Sequence, residues 1–177
     1  MHTSTNLTLD MNGGQLRQSR TTVIKDQAQE AAGRALSVTE KVDLVATPSQ
    51  AWESIKDFEG WQSWHPAFAS TEIIQGQGNT QGTVRVLTAK DCARFTEELL
   101  AHSAALRSYQ YRIIESPLPI TGYVSTIEVR GSQGGSSVVW RSSFQLQPGA
   151  PEQDIKQAIS AVYRAGLDNL SSVLKLG

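Results

Sequence analysis

The chain has 177 residues, 39% hydrophobic and 19% charged, which is typical of one soluble globular domain with a sizeable core. Its net charge of -1 excludes a strong electrostatic field that would recruit nucleic acid or an anionic membrane. The single cysteine, Cys92, excludes an intramolecular disulfide and a cysteine-based zinc site. No secretory signal and no apolar run of the ~20 residues that span a bilayer are visible, so we expect a cytoplasmic protein.

The N-terminal part of the chain differs in composition from the rest. Residues 1–35 are polar and carry few large apolar side chains, and Thr22–Leu36 has only a weak helical pattern. We therefore predict a flexible N-terminal extension followed by one folded domain over residues 36–177. A docking or tethering arm is the alternative interpretation of the same segment.

The folded domain begins with a strand and a short helix. Apolar and polar residues alternate over Ser37–Ala46, which predicts a strand. Thr47 is a candidate N-cap and Pro48 suits the first helical position, so a helix is predicted over Pro48–Asp57. Phe58–Phe68 then brings two tryptophans, a histidine and a proline into eleven residues, which predicts a short aromatic turn-helix packed against the core.

Six strand-like runs and one long helix complete the chain. The runs are bounded by turn residues, which is typical of an antiparallel meander. Because the sheet has one apolar face and the helix one apolar stripe, we expect the sheet to curl around the helix and leave a cavity between them. The runs are Phe68–Gln75, Thr83–Ala89, Ala93–Ala101, Leu106–Glu115, Tyr123–Arg130 and Ser136–Leu146; the helix is Pro151–Leu176, with the stripe Ile155, Ile159, Val162, Gly166, Leu170 and Val173.

Six segments agree in order and spacing with one known family: V-T-E-K-V-D-L-V-A-T-P-S-Q-A-W-E-S-I-K-D-F (Val38–Phe58), G-W-Q-S-W-H-P (Gly60–Pro66), G-T-V-R-V-L-T (Gly82–Thr88), T-E-E-L-L (Thr96–Leu100), Y-Q-Y-R-I-I-E-S-P-L-P-I-T-G-Y (Tyr109–Tyr123) and V-V-W-R-S-S-F (Val138–Phe144). Together they resemble the START/Bet v 1-type superfamily, specifically the bacterial polyketide cyclase/dehydrase-like proteins known as SRPBCC proteins. The resemblance covers the chain from Leu36 to its C-terminus.

The resemblance implies an α+β helix-grip fold. In that fold a seven-stranded, curved antiparallel sheet wraps around a long C-terminal helix, two short helices follow the first strand, and an apolar cavity is enclosed. Members bind lipids, sterols, polyketides or hormones, and a minority catalyse cyclisation or dehydration. The motifs W-x-x-W-H-P and S-P-L-P are also similar to accessory proteins of bacterial methanol oxidation. Those proteins are exported and this chain shows no export signal, so that role is not carried over.

The most prominent candidate for chemistry is His65, which follows Trp64 in the aromatic turn. An imidazole at the mouth of a cavity could act as an acid or a base. The alternative is that the ring binds a backbone carbonyl and holds the turn. No partner for proton transfer is identifiable from the sequence, so the structural interpretation is favoured.

Arg85 and Glu97 lie on consecutive predicted strands and belong to the segments that carry the resemblance. Leu87 and Leu99 share their strand faces, so we expect both charged side chains to point inward and hold the polar end of a ligand. If they point outward, they form a surface pair worth at most about 1 kcal/mol.

The tyrosines supply the remaining polar candidates. A hydroxyl inside the cavity could orient a carbonyl or donate a proton; the alternative is an aromatic wall whose hydroxyls reach water. The catalytic candidates are His65 and Tyr111. The predicted ligand-binding set is Trp61, Trp64, His65, Arg85, Glu97, Tyr109, Tyr111, Tyr123, Trp140 and Phe144.

Three functions remain open on the sequence alone. We rank a module that binds a small hydrophobic molecule first, a polyketide cyclase or dehydrase second, and a protein that recruits a partner through its extension or a sheet edge third. No nucleotide-binding motif, nucleophile elbow or histidine-rich metal site occurs, so we expect no cofactor and no metal. Ser116–Pro119 is a rigid connector, either the rim of an opening or a plain bend.

Overall fold

The computed structural model of the protein describes residues 33–175. Of the extension predicted over residues 1–35, all but the last three residues lie outside this range, and so does most of the weak helical pattern of Thr22–Leu36. The end of the helix predicted to reach Leu176 also lies outside it.

The first strand and the two short helices lie close to the positions that the sequence predicts for them. Strand β1 is Leu36–Leu44, helix α1 is Pro48–Ile55, and helix α2 is the single turn Trp61–Trp64. The predicted cap of α1 is confirmed, because the Thr47 hydroxyl accepts from the Gln50 N–H at 3.3 Å and the Gln50 side chain accepts from the Thr47 N–H at 2.9 Å.

Six further strands and one helix complete the fold. All neighbouring strands are antiparallel, in the order β1-β7-β6-β5-β4-β3-β2, so the predicted seven-stranded sheet is confirmed. The bounds are β2 Phe68–Gln75, β3 Val84–Ala89, β4 Arg94–Ser103, β5 Ser108–Glu115, β6 Ile120–Ser132, β7 Gly135–Leu146 and α3 Glu152–Lys175.

Strand β6 begins three residues before its predicted start at Tyr123. Ile120 pairs with Leu146 and Thr121 with Gln145, and the register then shifts before Val124. Gly122, at this irregularity, has a φ of +61. A glycine is typical of a turn, but this one lies in a bulge inside the strand.

Helix α3 lies along the concave face of the sheet, but its buried stripe is displaced from the predicted one. Tyr163 and Leu167 are buried, whereas Val162 is half-buried and Val173 is 58% exposed. At 100° per residue, both valines fall on one flank of the observed stripe, whose centre lies closer to Tyr163. Among the helices of residues 33–175, none is long and apolar enough to cross a membrane.

Candidate functional site

The space between α3 and the sheet is occupied by a layer of aromatic side chains. The Trp61 ring makes edge contacts with Trp140 at a centroid distance of 5.2 Å and with Tyr111 at 5.6 Å, and the Trp140 ring stacks on Tyr163 at 4.2 Å. We call this set the aromatic layer; it comprises Phe58, Trp61, Trp64, His65, Phe68, Tyr109, Tyr111, Trp140 and Tyr163, all buried.

Arg85 lies inside this layer, as its strand position predicts. Its side chain is fully buried; Nε and Nη2 donate to one oxygen of Glu97 at 2.9 and 2.6 Å, and Nη1 donates to the Phe58 carbonyl. The guanidinium carbon lies 3.8 Å from the ring centroids of both Phe58 and Trp61, so the cation is sandwiched between two aromatic faces. Burial raises the pKa of the Glu97 carboxyl, and the adjacent Arg85 opposes that effect.

His65 is buried and both of its ring nitrogens have partners. Nε2 lies 2.9 Å from the Val162 carbonyl on α3, and Nδ1 accepts from the Ala67 N–H at 3.2 Å, so the neutral ring donates through Nε2. Burial lowers the pKa of His65 to about 4, although the hydrogen bonds favour the charged form. These contacts match the structural interpretation, in which the ring joins the aromatic turn to α3.

A glycine lets α3 approach this turn. A Cβ placed on Gly166 would lie 2.6 Å from the His65 Cδ2 atom and 2.9 Å from the Trp64 ring. Asn169, one turn further on, donates to the Trp64 carbonyl at 2.8 Å. The helix is therefore seated on the turn through backbone contact that a larger residue would prevent.

A second polar group lies beside the aromatic layer, and it consists of hydroxyls. Ser125 Oγ donates to the Arg141 carbonyl at 3.0 Å, so its oxygen accepts from Tyr163 and from the Trp140 indole N–H. Tyr163 in turn accepts from the Tyr123 hydroxyl. The same indole N–H also reaches the Tyr111 hydroxyl at 3.1 Å. We call Tyr111, Tyr123, Ser125, Ser142 and Tyr163 the hydroxyl cluster.

One member of the hydroxyl cluster lacks a hydrogen-bond partner. Ser142 pairs with Ser125 across β6 and β7, and its Oγ is buried without a partner among the described residues. Burial raises the pKa of Tyr111, Tyr123 and Tyr163, so their hydroxyls keep their protons. The alternative in which the tyrosine hydroxyls reach water is therefore wrong for Tyr111 and Tyr123, because both side chains are buried and their hydroxyls bind buried groups of the protein.

An open pocket of about 410 Å³ reaches this cluster from outside. Tyr123 is one of its lining residues, and so are Ser116 and Leu118, which belong to the predicted rigid connector and place that connector at the pocket. Two larger pockets, at the end of α3 and on the convex face of the sheet, have no member of the hydroxyl cluster in their walls. We call the first one the β5–β6 pocket; it is lined by Ile113, Ile114, Glu115, Ser116, Leu118, Ile120, Thr121, Gly122, Tyr123 and Gln147.

The predicted site residues therefore divide into two groups. Trp61, Trp64, His65, Arg85 and Glu97 lie around the guanidinium at the α2 side, with Tyr109 bonded to the Trp61 indole at 2.9 Å. A second group, Tyr111, Tyr123, Trp140 and Phe144, borders the hydroxyl cluster, where Tyr123 stacks on Phe144.

Sequence reasoning missed Tyr163, Ser125 and Ser142 as members of the site. Tyr163 follows Ile159 by four residues and precedes Leu167 by four. This helical spacing is the only sequence feature that indicates a shared buried face for the three side chains. Ser125 alternates with Tyr123, and Ser142 lies between two inward aromatic residues on β7.

A sheet that grips one long helix, with polar groups buried between them, defines the class of the helix-grip proteins. The chain belongs to the family described as "Polyketide cyclase / dehydrase and lipid transport", which matches residues 35–175. No curated protein matched the sequence.

Solved structures are similar to this chain at the level of fold. The protein XoxI from Bacillus cereus is 24% identical with a TM-score of 0.66, over 79% of this chain and 94% of its own. A protein from Thermobifida fusca is 24% identical with a TM-score of 0.69, over 76% and 90% of the two chains. Ara h 8.0201 is 18% identical with a TM-score of 0.66, over 81% and 100%. The expected Bet v 1-like fold is thereby confirmed.

Proposed function

We propose that the protein binds a small hydrophobic molecule with an oxygen-bearing end, lipid-like or polyketide-like, in the β5–β6 pocket. The observation that carries this proposal is the position of Tyr123. Tyr123 is one of the residues that line an open pocket, and its hydroxyl belongs to a hydrogen-bonded cluster between the sheet and α3. The family description, which includes lipid transport, supports the same ligand class.

The lining of the pocket combines apolar and polar groups. Ile113, Leu118 and Ile120 offer apolar walls, and Thr121 and Gln147 offer polar groups at the rim. The volume of about 410 Å³ falls within the range of small-molecule sites, roughly 300–1,000 Å³. From the sequence we expected the ligand to bind between the sheet and the helix. Because side chains of the aromatic layer lie in that space, we propose that the ligand binds in the β5–β6 pocket instead.

The ligand's oxygen would be received by the hydroxyl cluster. The Tyr123 hydroxyl donates to Tyr163, and a small rotation would redirect that donor to a carbonyl or carboxyl oxygen of the ligand. A ligand without oxygen would leave these groups as they are and gain only from apolar contact.

The enzymatic alternative, a cyclase or dehydrase, would need a group that moves protons. His65 has both ring nitrogens engaged and a lowered pKa, and burial raises the pKa of Tyr111. These environments favour fixed hydrogen bonds over proton transfer near neutral pH, so binding is the function that we put forward.

Filling the pocket tests the proposal. Thr121→Trp changes an exposed residue of the rim, so we expect the fold to persist and binding of oleic acid and of the flavonoid naringenin to weaken at least tenfold, since the indole occupies the ligand's volume. Isothermal titration calorimetry would measure the dissociation constants. Thr39→Trp, an exposed change on the outer face of β1, is the matched control and should bind as the unmodified protein does. Equal affinities in both variants would contradict the proposal.

A further inference from the structure

The buried ion pair leaves one carboxylate oxygen unused. Arg85 Nε and Nη2 both donate to Glu97 Oε2, at 2.9 and 2.6 Å, and no further donor in the described part of the chain binds this carboxylate. Oε1 is not one of the fully buried polar atoms that lack a partner, which are Trp64 Nε1, Thr71 Oγ1 and Ser142 Oγ. It therefore keeps a small accessible surface, although the Glu97 side chain as a whole is only 5% exposed.

The guanidinium of the pair is closed to a ligand. Its third nitrogen, Nη1, donates to the Phe58 carbonyl, and the rings of Phe58 and Trp61 both lie 3.8 Å from its carbon. Because the Arg85 side chain is also fully buried, the charge that a ligand would meet at this place is the negative one of Glu97.

Glu97 is a neighbour of the β5–β6 pocket. It pairs directly with Ile113, which lines that pocket, so the two Cβ atoms are roughly 5 Å apart on one face of the sheet. Tyr123 lines the pocket from β6, on the other side of β5. Burial raises the pKa of Tyr123, and the negative charge of Glu97 adds to that shift, which indicates that the carboxylate and the phenol are close.

We propose that Glu97 selects the ligand by its polar end, which is the hydroxyl of a phenol or an alcohol that donates to Glu97 Oε1 and accepts from Tyr123. This inference rests on the site named under Proposed function and narrows its ligand class. A hydroxyl oxygen can donate and accept at once, whereas an ether or a ketone only accepts. A carboxylate at the same place would bring a second negative charge against Glu97.

The energetics of a poorly hydrated carboxylate favour this selection. A hydrogen bond from a hydroxyl to a carboxylate is charge-assisted and is stronger than one between neutral groups. An ether that enters the pocket takes the remaining water from Glu97 Oε1 and gives no hydrogen bond in return, so it loses more than one bond. We therefore expect at least a tenfold preference for the hydroxyl.

Three naphthalene probes that differ in one substituent test the selection on the unmodified full chain. At neutral pH 2-naphthol donates a hydrogen bond, 2-methoxynaphthalene only accepts, and 2-naphthoate is an anion. Isothermal titration calorimetry should show 2-naphthol binding at least tenfold more tightly than either of the others. The pair 1-decanol and decanoate repeats the comparison on an aliphatic chain, and the tighter of the two hydroxyl probes distinguishes a phenol from an alcohol as the source. Anions that bind as tightly as the hydroxyl probes in both pairs would overturn the selection.

Glu97→Gln tests whether this residue is responsible. Loss of the negative charge should reduce the preference for 2-naphthol over 2-naphthoate at least tenfold. Glu98→Gln, the matched control, changes the next residue of β4, which pairs with the half-exposed Arg112, and should keep the preference. An equal preference in the two variants would overturn the role of Glu97. If Glu97→Gln does not fold, the probe series on the unmodified protein decides alone.

The Thr121→Trp variant distinguishes failure of this inference from failure of the proposed site. If all the probes bind equally and all are lost in Thr121→Trp, the β5–β6 pocket stands and the selection by Glu97 is overturned. If no probe binds, and neither oleic acid nor naringenin does, the proposed ligand site fails and the selection fails with it.

Discussion

A charged pair holds the centre of the aromatic layer. Arg85 donates to Glu97 and to the Phe58 carbonyl, and its guanidinium lies between two rings. Such a buried pair is costly to form, but removing one partner is costlier, because the other charge is left without compensation. The pair therefore fixes the positions of the Phe58 and Trp61 rings, and with them the α2 side of the interior.

Glu97→Gln should destabilise the protein by about 3–5 kcal/mol, because the buried Arg85 charge loses its counter-charge while the side-chain shape is kept. Urea unfolding gives the free energy of unfolding. The matched control is Glu98→Gln on the same strand: its partner Arg112 is 54% exposed, so at most about 1 kcal/mol should be lost. Equal losses in the two variants would show that the buried pair is not a special determinant of stability.

His65 should make stability depend on pH. Its pKa is lowered from 6.5 to about 4 in the folded protein, so the unfolded chain binds a proton between these values and the folded protein does not. The contribution is fully present above about pH 6.5 and is lost as the pH falls towards 4, by about 3 kcal/mol. Free energies of unfolding across this range should fall less steeply for His65→Gln, which can still donate to Val162. Parallel pH profiles would contradict this assignment.

At the scale of elements, the decisive contact is the one between α3 and the aromatic turn. Gly166 brings the helix backbone against His65 and Trp64, and Asn169 adds a hydrogen bond one turn later. Helix α3 thereby also sets the depth at which Tyr163 meets Tyr123 and Ser125. The close approach of one helix thus positions both the aromatic turn and the hydroxyl cluster.

Gly166→Ala should destabilise the protein by up to about 2 kcal/mol. Alanine improves helix propensity by about 1 kcal/mol, but the added methyl would lie 2.6 Å from the His65 ring and cost about 1–3 kcal/mol in displaced packing. Thermal and urea unfolding would measure the change. Ser172→Ala, on an exposed face of the same helix, should change stability by no more than about 0.5 kcal/mol. A stabilised Gly166→Ala variant would mean that the helix can move away from the turn at little cost.

Elements with strong local signals could be predicted from the sequence. The start of α1 follows from the Thr47 cap and Pro48, and β2 has the bounds that alternation and the following glycines indicate. The start of β6 could not be predicted in this way, because Gly122 carries the same local signal in a bulge as in a turn. The buried side of α3 was predicted only in part. Tyr163 and Leu167 are buried outside the predicted stripe, whereas four of its six residues are buried as predicted: Ile155, Ile159, Gly166 and Leu170.

At the scale of the whole molecule, the fold was predictable and the interior was not. The order of β2 to β7 follows from the meander, and the inward orientation of Arg85 follows from its strand face. The contacts between the aromatic rings depend on the distance between the sheet and α3, and the pattern of apolar residues in the sequence does not determine that distance. Tyr163 and Ser142 were therefore identified only from the structure, and several residues predicted to line a cavity lie in the aromatic layer.

The proposed ligand site is a property of the whole molecule. The β5–β6 pocket is formed by the connector after β5, the bulge of β6 and the residues after β7. Access to the hydroxyl cluster would therefore be located at one end of the sheet, away from the contact between Gly166 and His65.

Native mass spectrometry of the full chain, purified without added ligand and then mixed with oleic acid or naringenin, tests the binding proposal most directly. The account predicts a one-to-one complex with at least one of these molecules, and loss of that complex in Thr121→Trp but not in Thr39→Trp. The bare protein mass at ligand concentrations up to the millimolar range, or a complex that persists in Thr121→Trp, would contradict it.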